Sequence, residues 1–273
     1  MGRGASAEAW LAWSPDRPEA VVLKRAAAPD GSPRGAGAAR LRHEAAVLAR
    51  VRHPGVVALL DVVDDPPGVA LVLEHLAGGS LRDLLAERGT LLAGELVALL
   101  EPVAAACTAL AALGLVHGDL KPEHVCFTAA GAPVLVDLGA AAMAPGPAPA
   151  ELSATPAYLD PAVAAGAAPG ARSEVFALAV VAYEALTGRL PHRGEPALAV
   201  AAAAAGSHRP LRSWPAVPPA VADVVERALD PRPERRPADP AAFVAALRAV
   251  VAGPEVVPPG PALRRQPVEL GPP

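Results

Sequence analysis

No stretch of this sequence restricts its fold as much as His117 to His124, HGDLKPEH, followed thirteen residues on by Asp137, Leu138 and Gly139. Between them lie two short extended runs, Val125 to Thr128 and Pro133 to Val136, the pattern of a β-hairpin that joins two clusters of ionisable residues. The lysine in the first cluster is informative because lysine is rare here. Of 24 basic residues only Lys24 and Lys121 are lysines, in a chain with no Asn, no Ile, one Gln and abundant Ala, Pro, Gly and Arg. A GC-rich coding sequence gives such a bias, and wherever any cation serves, this chain uses arginine. The two positions that keep lysine are therefore ones where a compact ammonium is not interchangeable with a planar guanidinium.

Around that centre the pattern changes from strands to helices. Ala9 to Lys24 reads as two extended runs about a turn at Ser14 to Pro18, preceded by a Gly-rich loop. Ala38 to Arg50 carries apolar residues at helical spacing until His53 and Pro54 end it, and Val56 to Val63 and Val69 to Glu74 read as strands. After Ala77, Gly78 and Gly79, Ser80 reads as an N-cap with Asp83 at capping-box spacing. Helices follow at Leu91 to Leu113, Ser173 to Leu186, Val221 to Leu229 and Pro240 to Val251. The tail from Gly253 to Pro273 holds seven prolines and is expected to be disordered.

A formal charge of −4 without a basic stripe argues against nucleic acid or an anionic membrane as partner. Met1, Gly2 and Ser6 match an N-myristoylation pattern, but Gly2 has another use below. No apolar run is expected to reach the ~18 residues of a membrane helix, since the tracts Val175 to Ala182 and Ala197 to Ala205 are both too short. Cys107 and Cys126 sit in apolar runs and read as small buried hydrophobes, as fits a reducing cytoplasm.

The HGDLKPEH and DLG segments resemble the catalytic loop and metal-binding motif of Ser/Thr protein kinases, of the eukaryotic type found in bacteria, and the resemblance extends over about residues 2 to 250. It implies a two-lobed α+β fold, with a small β-rich lobe with one main helix over residues 1 to 76 and a larger, mostly helical lobe over 77 to 252. Asp119 would orient and deprotonate the acceptor hydroxyl, Lys121 would meet the transferred phosphoryl group, and Asp137 with His124 would hold the metal. Val21 to Lys24 resembles the strand whose lysine contacts the α and β phosphates, with Glu44 as its partner on the following helix. Gly2, Gly4, Ala7 and Ala9, with Ala12, resemble the phosphate-covering glycine loop, and Glu74 and Leu76 lie in a segment like the adenine-binding hinge. Thr155 to Leu159 is similar to the segment that seats the acceptor, and Asp230 to Pro237 to the last structural motif, with its arginine at Arg236.

The resemblance implies ATP, Mg²⁺ with Mn²⁺ as the alternative, a protein substrate bearing Ser or Thr, and a cytoplasmic setting. Six departures qualify it. Ala7 stands at a glycine position and Met1 leaves no room for the strand that precedes the loop. His124 replaces an Asn metal ligand, and imidazole suits Mg²⁺ poorly. Ala162 replaces the Glu that pairs with the arginine at 236, leaving its guanidinium in need of another acceptor. Glu174 replaces an Asp that ties the central helix to the catalytic loop, with the same hydrogen bonds expected. Gly118 replaces an Arg that reads a loop phosphate, so activity is expected not to depend on phosphorylation of Ser153 or Thr155. Two rival readings are a catalytically weak or silent pseudokinase, serving as nucleotide sensor or scaffold, and a small-molecule kinase of the aminoglycoside or choline type. The latter needs neither Lys121, the Thr155 segment nor the arginine at 236.

Overall fold

The structure is a computed structural model that describes residues 2–3, 7–14, 17–26, 35–65, 68–143 and 155–251. Gly4, Ser153 and the proline-rich tail lie outside the described residues. Five strands make one antiparallel sheet in the order β1 (Gly2–Arg3), β2 (Ala7–Ser14), β3 (Arg17–Ala26), β5 (Gly68–Glu74) and β4 (Leu59–Asp65). Helix α1 (Gly35–Leu48) packs against β3, β4 and β5 through buried Ala38, Leu41, Val47 and Leu48. The first strand is thus not missing. Gly2 pairs with Ala9 and Arg3 with Glu8, because ladder bonds need only backbone N–H and C=O groups. Ala7 and Ala9, expected in the glycine loop, instead lie on β2 opposite Ala26 and Lys24.

The rest of the described chain is mainly helical: α2 (Leu81–Arg88), α3 (Ala93–Ala111), β6 (Leu115–Val116), β7 (Val125–Phe127), β8 (Pro133–Leu135), β9 (Ala142–Met143), α4 (Pro161–Ala164), α5 (Ala171–Thr187), α6 (Pro196–Ala204), α7 (Pro219–Ala228) and α8 (Pro240–Val250). The α2 start is a complete capping box, Ser80 accepting from the Asp83 N–H while the Asp83 carboxylate accepts from the Ser80 N–H. Gly78 lets the chain leave the sheet beside β7, since a Cβ there would lie 2.5 Å from the Thr128 carbonyl oxygen. Helix α5 is buried on every side from Glu174 to Thr187, which is why its sequence shows no apolar stripe.

Helix α3 corrects one expectation. It is 19 residues long and apolar enough by length and composition to cross a membrane. Here Leu96, Val97, Leu99, Leu100, Val103 and Leu110 pack into the core, at about 1.5–3 kcal/mol for each fully buried Leu or Val side chain.

His192 sits 2% exposed beside α5, stacked on Phe176 with ring centroids 6.2 Å apart, and neither of its ring nitrogens meets a hydrogen-bond partner among the described residues. Burial, with His208 as a lesser cause, pushes its imidazole down to about 4 from 6.5. The unfolded chain therefore takes up this proton first as the pH falls. Stability is full above about pH 6.5 and is lost between there and about pH 4, by about 3 kcal/mol. His192→Phe removes two unpaired buried nitrogens and should stabilise the fold by about 1 kcal/mol at neutral pH. It should also flatten this acid limb, as chemical denaturation between pH 4 and 7 would record.

Candidate active site

Where the sheet faces the helical lobe, three elements bring an ion triad together. Lys24 on β3 donates to both carboxylate oxygens of Glu44 on α1, at 2.9 and 2.7 Å, and its Nζ lies 2.9 Å from Asp137 Oδ1. Glu44 is 1% exposed. A buried carboxylate needs such a partner, and a lysine held from two sides has little freedom left to lose when a phosphate arrives. Burial works against the Lys24 charge, but Glu44 and then Asp137 outweigh it and raise the ammonium above its ordinary value. For Asp137, burial pushes up while Lys24 and His124 pull harder down, so its carboxyl stays ionised well below the usual range. Helix α1 is tied to the same region by His43, whose Nε2 lies 2.7 Å from the Ala141 carbonyl oxygen and donates to it.

Asp137 is the only non-glycine residue with positive φ among the described residues, at 63°. Strain of about 1–3 kcal/mol is normal for such a residue and persists where the surroundings dictate the conformation. Here the Lys24 contact and a 3.4 Å bond from the Gly139 N–H to Asp137 Oδ1 do so.

The second centre is Asp119, 8% exposed. Its Oδ2 accepts from Lys121 Nζ at 2.7 Å and its Oδ1 from the Thr155 N–H at 3.0 Å, while Lys121 Nζ also donates to Thr155 Oγ1 at 2.7 Å. The loop that carries it is fixed from behind. Glu174, in the first turn of α5, accepts from the N–H groups of His117 at 3.2 Å and Gly118 at 3.0 Å, so the longer side chain reaches both donors. His117 is fully enclosed and neutral, because burial lowers its pKa; its Nε2–H donates to the Val136 carbonyl and its Nδ1 accepts from the Asp119 N–H. Gly118 has φ 81°, and a Cβ there would lie 2.6 Å from the Ala140 carbonyl oxygen. An arginine at this position is therefore excluded by the backbone as it stands.

His124 joins the two centres. Its Nδ1 donates to the Asp119 carbonyl oxygen at 2.8 Å, which turns Nε2 towards Asp137 Oδ2, 3.4 Å away. Burial lowers its pKa against the pull of Asp137 and Asp119, so the ring is neutral and Nε2 presents a lone pair. A nitrogen and a carboxylate oxygen that converge at this separation suit one divalent cation with bond lengths near 2.1 Å. This donor set fits a metal.

Glu74 ends β5 and uses its carboxylate to accept from the Ala58 N–H at 2.7 Å, while Leu76 is half-buried against the core at the lobe junction. Cys126, next to this junction on β7, has its thiol pushed up to about 12 by burial and by Asp83, and is no nucleophile.

Three functional neighbours escaped the sequence reading. The arginine at 236 is not bare: its Nη1 and Nη2 donate to Asp160 at 2.7 and 2.9 Å, with both side chains almost fully buried. Asp160 lies two residues before Ala162, so the acid is relocated within the segment rather than lost. His43, adjacent to Glu44, and Arg82 on α2 are the others. A single polar residue on an exposed helix face gives no periodic signal, and only the fold shows what it meets.

Residues 1–247 match a family model described as protein kinase domain. The serine/threonine-protein kinase PknL of Mycobacterium tuberculosis is 36% identical over 216 residues, which cover 77% of this chain and 54% of that protein. The serine/threonine-protein kinases PkaA of Streptomyces coelicolor and Pkn1 of Myxococcus xanthus are 34% and 35% identical over 85% and 78% of this chain, and 43% and 32% of their own lengths. The chain thus spans about half or less of these curated relatives.

Proposed function

Because this chain belongs to the protein kinase domain family, we propose that it transfers the γ-phosphoryl group of ATP to Ser or Thr hydroxyls of a protein substrate. The observation that carries the reading is the facing of two preorganised centres, Lys24–Glu44–Asp137 and Lys121–Asp119–Thr155, with His124 between them. Phosphoryl transfer asks a protein mainly for positioning and charge stabilisation, and these centres supply both. Lys24 neutralises non-transferred phosphates. Asp119 accepts the hydroxyl proton and Lys121 meets charge on the transferred group. Asp137 and His124 would hold a divalent cation, which when bound would supply Lewis acidity at the phosphates. An ATP-dependent reaction supports a cytoplasmic setting for the domain.

A silent pseudokinase would have no need to keep lysine at two positions in a chain that otherwise uses arginine, nor to hold the Asp119 carboxylate through Lys121 and Thr155 and its loop through Glu174. A mixed nitrogen and oxygen pair favours Mn²⁺ over Mg²⁺ relative to an all-oxygen pair. We expect His124→Asn to raise the Mg²⁺-to-Mn²⁺ rate ratio about tenfold and, independently of turnover, to weaken Mn²⁺ binding in the presence of ADP by electron paramagnetic resonance. The reading is tested by incubation with radiolabelled ATP and a pool of Ser, Thr and Tyr peptides. Label on Ser and Thr alone is expected, and label on Tyr or on none would refute it.

A further inference from the structure

One polar network lies outside the two centres and joins the segments that flank them. Arg82 on α2 places Nε 2.8 Å from Glu123 Oε1, Nη1 2.7 Å from Glu184 Oε1 and Nη2 2.7 Å from the Tyr158 hydroxyl, which itself donates to Glu184 Oε2 at 2.6 Å. Glu123 is two residues past Lys121 on the same turn, and Tyr158 three residues past Thr155 on the next. Lys121 and Thr155 both touch Asp119. The network therefore borders the place where an acceptor segment must lie. Glu184 on α5 is 7% exposed, whereas the side chains of Arg82 and Glu123 are 34% and 45% exposed, so the network opens to solvent at that end.

Two carboxylates that converge on one point make a guanidinium site, because the planar fork of arginine can bond both. Burial opposes the Arg82 charge, but the bonds to Glu184 and Glu123 outweigh it, and the group stays cationic. An incoming substrate arginine would have to displace a tethered group that makes the same bonds without losing translational freedom.

We propose that Arg82 is a specificity-determining residue: its guanidinium fills, from within the chain, the Glu123–Glu184 pair beside the acceptor position, so that substrates are selected without a basic side chain there. Loss of Arg82 turns the pair into a site for a guanidinium-bearing peptide, because a buried unpaired carboxylate gains by taking in a cation. The inference rests on the phosphoryl-transfer reading for its biological sense, but the site itself does not.

The test is Arg82→Ala against a Ser peptide in which one arginine or glutamine is placed in turn at each of the four positions on either side of the acceptor. In the wild type, kcat/KM should differ less than about threefold between the two at every position. In the variant, arginine should be preferred at least about tenfold at one position, through KM. A second arm needs no turnover: methylguanidinium chloride should raise the melting temperature of Arg82→Ala saturably and leave the wild type unmoved. Where the Ala variant does not fold, Arg82→Gln takes its place, since it keeps a neutral donor for Glu184. A folded variant without arginine preference and without saturable methylguanidinium binding overturns the proposal, as does a wild type that already prefers arginine tenfold. If neither protein transfers phosphate, the parent reading fails and the methylguanidinium arm alone decides this one.

Discussion

Asp119→Asn is expected to lower phosphoryl transfer by about a thousandfold while ADP binding, read as a rise in melting temperature, stays within twofold of wild type. Two functions are lost at once. The amide cannot take the acceptor proton, and it cannot neutralise Lys121, whose Nζ lies 2.7 Å from Oδ2. Nucleotide affinity is spared because Lys24, Glu44 and Asp137 form a separate triad reached from β3 and α1. The carboxamide keeps the shape and still accepts from the Thr155 N–H at Oδ1, so the loss reports chemistry rather than folding. A reduction of less than tenfold would show that Asp119 is not the proton acceptor.

The second large effect is on stability. Asp160→Ala should cost about 3–5 kcal/mol in urea denaturation, since it strands a guanidinium with no exposed side-chain surface. Three backbone carbonyls, of Asp230, Arg172 and Pro231, still accept from Arg236, and Phe176 lies 4.8 Å beneath its guanidinium, but none supplies a negative charge. The charge can be returned from elsewhere. Ala162→Glu in the Asp160→Ala background restores the arrangement that the family resemblance led us to expect, and should recover at least half of the loss. Asp160→Ala within 1 kcal/mol of wild type would mean that the carbonyls suffice.

The relocated acid also shows where sequence reasoning stopped. Ala162 was legible as a missing partner, but the search for its replacement needed three dimensions. Asp160 caps α4 by accepting from the Ala162 N–H, and that role alone would account for an Asp there. Lys24 and Lys121 stood out because the composition made lysine expensive to keep, whereas Arg82, one arginine among many, carried no such mark. Strands are legible where an apolar run of several residues lies between turn signals, as in β5. β1, β6 and β9 have only two residues each, too few to show a period. Helix α6 is an alanine tract, strongly helical by propensity but blank in hydrophobic pattern, so periodicity does not mark it. Gly118 was legible as the absence of an arginine. Its backbone angle, and the carbonyl of Ala140 that forbids a side chain, were not.

Single-turnover transfer from γ-labelled ATP shows whether the two facing centres form a working phosphoryl-transfer site. Enzyme in excess over nucleotide, with Mg²⁺ and separately with Mn²⁺ and a Ser/Thr peptide pool, should move label to peptide in a single exponential, faster in Mn²⁺, and not with Asp119→Asn. Nucleotide bound at saturation with no label transferred in either metal would contradict the account.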